Sequence, residues 1–491
     1  FRADGSSKFA PSNRWGYFPA AALGWRMSEE AFLNDVDWLD NLKLRVSYGE
    51  VGNDGINSSL WSQNWEATSD KRYQGAVNGA FLPSYSLGAD MANKDLKWET
   101  TITRNIGVDF GFFNSRLTGT IDAYWNTTKD LLMKTAIPGI TGFTSTYANV
   151  GQTSNKGIEI ALQGVLVKTR DWNVTAGFNI NFNRGKVDKL ADNVTGLYGT
   201  EWATSSTFPK SDYVLKEGRP VGLVRGLTAD GFYTTDDFTY ENGVYTLKEG
   251  VADVSSAVFP NYHLHNGMNE RPAGQLAYPG MAKFKDLNDD GIINDDDVDV
   301  IGDMTPVHTG GFNINATYKN FDLGLYFNWS YGNEIYNVNK LAALYGYKEG
   351  AVYENKLSIV KDCYKIYDVV NGELVALTTP EQLNAANANA KLPLAYSENG
   401  YVSTLGIEDG SYLRSNTLTL GYTLPKSMLQ KAGISNLRVY GSIYNVFTIT
   451  GYSGIDAEVS TSTSTKTYPQ LGMDWGTYPR ARSFVLGVNL S

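Results

Sequence analysis

The chain has almost no cysteine. Cys363 stands alone among 491 residues, which rules out an internal disulfide and a cysteine-rich metal site. Histidine is nearly as scarce, with only His263, His265 and His308. Positive charge is also short, 42 Lys+Arg against 52 Asp+Glu, so the net charge is −10 and a nucleic-acid partner, which needs a basic stripe, is excluded. No apolar run reaches about eighteen residues, so no helix of this sequence can span a membrane. The start is not a signal peptide, because Arg2, Asp4 and Lys8 interrupt any apolar core. There is no G-x-S-x-G, no phosphate-cradling G-x-x-x-x-G-K-[ST] and no H-E-x-x-H. These absences point away from an enzyme.

What the chain does contain is a recurring alternation. From Trp172 to Phe182 every even position is apolar (Trp172, Val174, Ala176, Phe178, Ile180, Phe182) and every odd one is polar or glycine. Successive side chains of a strand point to opposite faces, so such a segment has one greasy face and one wet face. Its length of about ten residues is what a tilted strand needs to cross a bilayer. The pattern returns, giving eleven expected strands: 16–28, 42–52, 99–112, 116–133, 156–168, 172–185, 309–318, 322–336, 411–424, 435–450 and 480–491. Short connections (113–115, 169–171, 319–321, with 29–41 and 425–434 somewhat longer) alternate with long ones (53–98, 134–155, 186–308, 337–410, 451–479). One rim of short turns and one of long loops is the pattern of an outer-membrane β-barrel. The apolar phase, including Phe178, Ile180, Leu325 and Leu486, should face lipid, and Asn179, Asn181 and Tyr326 the lumen.

Bacterial single-chain barrels normally have an even strand number, and this count is odd. With a periplasmic C-terminus, the first strand read here also runs inward, so the expectation is an incomplete barrel with further strands upstream.

Several segments resemble the SusC/RagA-type TonB-dependent outer-membrane transporters of Bacteroidetes: RWGYFPAAALGWRMSEEAFL (14–33), LDNLKLRVSYGEVGN (39–53), NKGIEIALQG (155–164), KFKDLNDDGIINDDDVDVIG (283–302), SNTLTLGYTLPKSML (415–429), LRVYGSIYNVFTITGYSGIDAEV (437–459) and YPRARSFVLGVNLS (478–491). They occur in the family's order over nearly the whole chain. The resemblance implies an all-β, 22-stranded transmembrane antiparallel barrel, of which residues 1–491 supply the last eleven strands, with the plug and N-terminal domains absent. It also implies TonB-dependent import of a nutrient oligomer, a glycan or a peptide, into a Gram-negative cell. The implied partners are a SusD-like surface lipoprotein acting as a lid, TonB through the missing N-terminal region, and outer-membrane lipid including lipopolysaccharide. Such barrels usually end on an aromatic residue in the outward phase. Here Phe484, Leu486, Val488 and Leu490 share that phase and Ser491 does not, so one further aromatic residue is expected after it.

The sharpest local motif lies in the long 186–308 loop. Asp286, Asn288, Asp290, Gly291, Asn294 and Asp297 occupy positions 1, 3, 5, 6, 9 and 12 of an EF-hand-type loop, with Asp for Glu at the last. Oxygen-bearing side chains at alternate positions can curl round one hard cation, and Ile292 can add its carbonyl. Calcium at Asp286, Asn288, Asp290, Ile292 and Asp297 is therefore an expectation, set against a solvated acidic turn bonded to its own backbone. His263 and His265 form an H-x-H pair that lacks the further ligands of a zinc site. Asp236-Asp237 could be read as a glycosidase pair, but neighbouring acids in loops are usually there for solvation. Trp61, Trp65, Tyr73, Tyr85, Trp202, Phe232, Tyr233, Tyr262, Tyr345, Tyr347 and Trp475 crowd the outer loops, where loop cores and the interfacial girdle compete with ligand stacking. The competing function from another class is a soluble or surface-attached β-rich protein that binds or degrades glycans.

Overall fold

The computed structural model describes the chain except residues 69–74, 79, 83, 89, 193, 204–206, 260–270, 345–356, 396–399, 431–432 and 460–469. Its dominant element is one meander of eleven strands: β1 (Ala20–Arg26), β2 (Leu39–Asn53), β3 (Glu99–Phe112), β4 (Leu117–Ala136), β5 (Ser145–Lys168), β6 (Trp172–Lys189), β7 (His308–Tyr318), β8 (Phe321–Tyr331), β9 (Tyr412–Thr423), β10 (Leu437–Thr450) and β11 (Ser483–Leu490). Each strand pairs antiparallel with the next in sequence. β1 and β11 each have one neighbour, so the sheet is an open, unclosed part of a barrel wall.

All eleven expected strands are present, with three departures. The expected strand 16–28 is broken at Pro19: Trp15–Phe18 pairs with Arg2–Gly5, and the wall begins at Ala20. Proline lacks the N–H that a continuing ladder requires. The connection 134–155, expected to be a long loop, is mostly ladder, since β4 and β5 stay paired out to Ala136 and Ser145. The expected strand 322–336 ends at Tyr331, where Gly332 takes φ 76°; Glu334–Asn337 then joins Ile407–Asp409 and Met473–Asp474 in a separate small sheet.

The register carries the alternation round the wall. One lateral row reads Leu44, Val108, Ile121, Ile160, Ile180, Gly310, Trp329, Leu413 and Ile449. The row one residue along reads Arg45, Gly107, Asp122, Glu159, Asn181, Thr309, Ser330, Tyr412 and Thr450. A one-residue slip in any pair would mix the two faces, so burial of the apolar face in lipid fixes every register at once. The apolar rows run from an aromatic belt at the short-turn rim, where Trp172 meets Tyr318 at 4.4 Å and Phe321 meets Tyr422 at 4.7 Å, up to Phe182. The ten steps from Trp172 to Phe182 rise about 33 Å along the strand, or about 25 Å vertically at a tilt of about 40°, the height of a barrel's apolar band.

The long loops fold together outside this band into a roof. Thr207–Phe208 pairs in parallel with Gly400–Tyr401, joining the loop before β7 to the loop before β9. Phe208, Tyr233, Tyr245, Tyr278, Phe284, Tyr364, Leu383 and Tyr401 share one buried cluster drawn from both loops. A second cluster holds Tyr213, Tyr336, Leu341 and Met473, so the loop before β11 is packed in as well.

Candidate functional site

The inner face of the wall is wet, and its charges are paired across strands. On β2, Arg45 donates from Nη2 to Asp109 at 2.8 Å and to Asp122 at 3.0 Å, tying β2, β3 and β4 together. On β10, Arg438 donates from Nε to Asp322 of β8 at 2.8 Å, reaching over the strand between them. Both guanidinium groups cross a glycine, Gly107 and Gly421, where any Cβ would collide with the ion pair. Fork-shaped guanidinium–carboxylate contacts hold geometry better than a lysine would. A fifth to a third exposed and screened by water, they contribute little stability; they keep the lumen face polar.

Where wall meets roof there is a cavity of about 390 Å3, lined by Thr309, Ser330, Tyr412, Glu334, Glu458 and Arg480 among others. Behind it Arg414, only 3% exposed, pairs with Asp456, and Arg480 holds Glu458 at 3.0 Å. Asp456 and Glu458 belong to the GYSGIDAEV stretch after β10, so this network pins that stretch back over the inner face of β9. Removing either Arg414 or Asp456 would strand a buried charge. Sequence reading did not single out Arg414 or Asp456. The available signal was an arginine in the lumen phase of a strand that otherwise carries hydroxyls and a glycine there.

Higher in the roof, Glu408 accepts from Ser453 N–H at 2.9 Å, Ser453 Oγ at 2.8 Å and Lys340 Nζ at 3.1 Å. Burial would push this carboxyl up, but the Ser453 bonds and Lys340 outweigh it and hold it below the ordinary glutamate range. The Cys363 thiol, buried in the roof, is pushed up to about 11, by burial first and by Asp362 second.

The calcium-type loop keeps its turn through its own side chains. Asp286 accepts from Gly291 N–H at 2.7 Å, Asp290 accepts from Ile292 N–H at 2.9 Å, and Asn288 Nδ2 donates to Asp290 at 3.0 Å. Gly291 sits at φ 84°, as the sharp turn demands. Asp297 is fully buried and accepts from Leu287 N–H at 2.7 Å and Asn294 N–H at 2.8 Å. Among the described residues no three His, Cys, Asp or Glu side chains converge as a metal cluster. The donor set still suits a hard cation, because each carboxylate oxygen retains a lone pair after one hydrogen bond.

The remaining sequence candidates separate cleanly. His308 begins β7, accepts from Trp329 Nε1 at 3.0 Å and stacks on Tyr331, a girdle arrangement; His263 and His265 lie outside the described residues. Asp237 caps a turn with Thr234 and binds Lys283 at 2.7 Å, which accounts for it structurally. Of the loop aromatics, Tyr233 is core, while Trp65, Tyr85 and Trp475 are about half exposed or more; Tyr73, Tyr262, Tyr345 and Tyr347 lie outside the described residues. Phe178 and Leu486 stand exposed at 39% and 90%, which a closed sandwich core would not allow.

Residues 1–269 match the family model described as TonB dependent receptor-like, beta-barrel. The whole chain is 30% identical to TonB-dependent receptor P3 of Formosa agariphila, covering 43% of that protein. It is also 30% identical to TonB-dependent receptor SusC of Bacteroides thetaiotaomicron, covering 41% of it. Among solved structures, the RagAB peptide importer in its closed-closed state superposes at a TM-score of 0.71 with 24% identity, over 99% of this chain and 45% of that one. The chain therefore spans less than half the length of the relatives it matches.

Proposed function

This chain belongs to the TonB-dependent receptor-like β-barrel family, in its SusC/RagA branch, and from that premise we propose that it forms the C-terminal wall and roof of an outer-membrane nutrient importer. The observation that carries this reading is the register-locked separation of an apolar outer face from a polar inner face across the whole meander. A wall of that kind suits a wide, wet lumen, and closure to 22 strands by an upstream half would remove both free edges. The cargo is a hydrophilic oligomer, a glycan or a peptide, held between the roof and a SusD-like surface lipoprotein, with TonB supplying energy through the upstream region. No catalytic role is assigned to any residue. The test is uptake by cells that carry the complete receptor. Deleting the receptor gene should abolish growth on one oligomer class and spare growth on its monomers. Unchanged growth on every glycan and peptide tried would contradict importer function, and purification of the receptor without a surface lipoprotein would contradict the lid.

A calcium ion at Asp286, Asn288, Asp290, Asp297 and the Ile292 carbonyl belongs to the same proposal, as a brace for the roof. Chelation should make the roof more sensitive to protease near residue 290, and Asp290→Ala should reproduce this without chelator. Identical digestion with and without calcium would contradict it.

A further inference from the structure

The cavity of about 390 Å3 between wall and roof carries an unbalanced charge. Thr309, Ser330 and Tyr412 of the inner row line it, so it opens toward the lumen and not toward lipid. Much of the remaining lining is apolar, with Ile335, Val459 and Leu471. Three charged side chains complete it: Glu334, Glu458 and Arg480.

Two of these three are already matched. Glu458 has Arg480 at 3.0 Å and Arg414 at 3.5 Å, and Arg414 also pairs with Asp456 behind the cavity. Glu334 has no such partner. One of its oxygens accepts from Asp303 N–H at 2.7 Å, and the other has no hydrogen bond or ion pair among the described residues. Two guanidinium groups therefore stand against three carboxylates. The surplus negative charge sits on Glu334, half-buried and next in sequence to Ile335, which is 1% exposed. A carboxylate set among apolar groups calls for a cation.

The neutral groups nearby lean the same way. Gln470, 3% exposed, and Asn328, which donates to Tyr412 at 3.1 Å, each keep a buried side-chain carbonyl oxygen without a donor among the described residues. Arg414 keeps Nε and Nη1 without hydrogen bonds, but Glu458 already meets its charge. The chemistry that complements this set is a positive charge carrying N–H donors, and a protonated primary amine brings three.

We infer that this cavity takes the ammonium end of a peptide cargo. Glu334 reads its charge, and Ile335, Val459 and Leu471 receive its first side chain. A peptide is favoured over an amino sugar because this apolar lining suits a side chain beside the amine and would leave sugar hydroxyls unpaired. The inference rests on the importer reading above, and the two fail separately. Growth of cells judges import, whereas binding to purified receptor judges the cavity.

The test is calorimetric titration of the complete receptor in detergent. The probes are leucyl-alanyl-alanyl-glycine, the same peptide with its amino end acetylated, and the glucosamine trimer. Wild type should bind the free peptide about tenfold more tightly than the acetylated one. Glu334→Gln should erase that preference, weakening the free peptide about tenfold and leaving the acetylated one within about twofold. Asp299→Asn removes a roof carboxylate paired with Lys216 at 3.4 Å and should leave both within about twofold. Glutamine at 334 keeps an oxygen for Asp303 N–H, and the comparison of the two peptides on wild type needs no variant. Equal affinity for free and acetylated peptide, no binding of either, or a preference that survives in Glu334→Gln would overturn the inference. Tighter binding of the glucosamine trimer than of the free peptide would overturn the choice of a peptide.

Discussion

Along β6 the large side chains Phe178 and Phe182 keep 39% of their surface exposed, while in the outer loops Tyr233, Tyr245 and Tyr278 keep none. The wall has no core within this chain; lipid covers its outer face. The roof, although made of connections, has a dense core of the kind a soluble domain carries. The two regions therefore use different solvents. In the wall, each residue answers to the bilayer or the lumen, and order comes from ladder hydrogen bonds that lipid makes obligatory. In the roof, each residue answers to distant chain segments, and order comes from the hydrophobic effect in water.

This difference predicts where substitutions hurt. The largest effect is expected for Tyr233→Ala in the roof, about 3–5 kcal/mol from the forfeited aromatic burial and the cavity left behind. Because the wall does not depend on that core, the barrel should still assemble, and limited proteolysis should cut the loops before β7 and β9 faster. A variant that fails to insert would break the claimed independence of the two regions. Next is Ile180→Arg in the wall, expected to cost about 2–4 kcal/mol in vesicle unfolding titrations, against little change for Asn179→Arg next to it. Equal costs at the two positions would erase the distinction between faces. Smaller still is Thr379→Ala, which removes the capping box of the Pro380–Asn387 helix and should lower roof stability by about 1 kcal/mol without touching the wall.

The smallest effect is a pH dependence. Glu408 has a lowered pKa in the folded roof, so its contribution is full above the unfolded glutamate value of about 4.3 and disappears as pH falls through the folded value. Acidification below about pH 4.3 should loosen the contact between the loops before β9 and β11, and Glu408→Gln should flatten that response. Hydrogen exchange at Ser453, whose N–H Glu408 accepts, reads it directly.

The same contrast explains what could be read from the sequence. Strand number, order and facing were legible because a two-residue period is local and the bilayer enforces it on every strand. Where it failed, a single residue overrode the period, as Pro19 and Gly332 did. Where strands outran the bilayer, as at Ser145–Asn155, the alternation lacked its lipid-facing half and looked like loop. The roof was not legible, because pairing Phe208 with Tyr401 leaves no periodic trace across so long a separation. The calcium-type loop was visible through its spacing, but the sequence could not say that Asp297 would be buried on Leu287 and Asn294 N–H groups. The Arg414–Asp456 pair joins one strand residue to one loop residue, and neither stands out alone.

The central claim is that β6 presents lipid on its even residues and water on its odd ones. Nitroxide labels placed singly at positions 173–182 of the complete receptor in vesicles, with Cys363 replaced by serine, test this most directly. Collision rates with oxygen should peak at 174, 176, 178, 180 and 182, and rates with a water-soluble nickel chelate at the odd positions, the two profiles running out of phase with a two-residue period. Profiles that rise and fall together, or that show no two-residue period, would contradict the account.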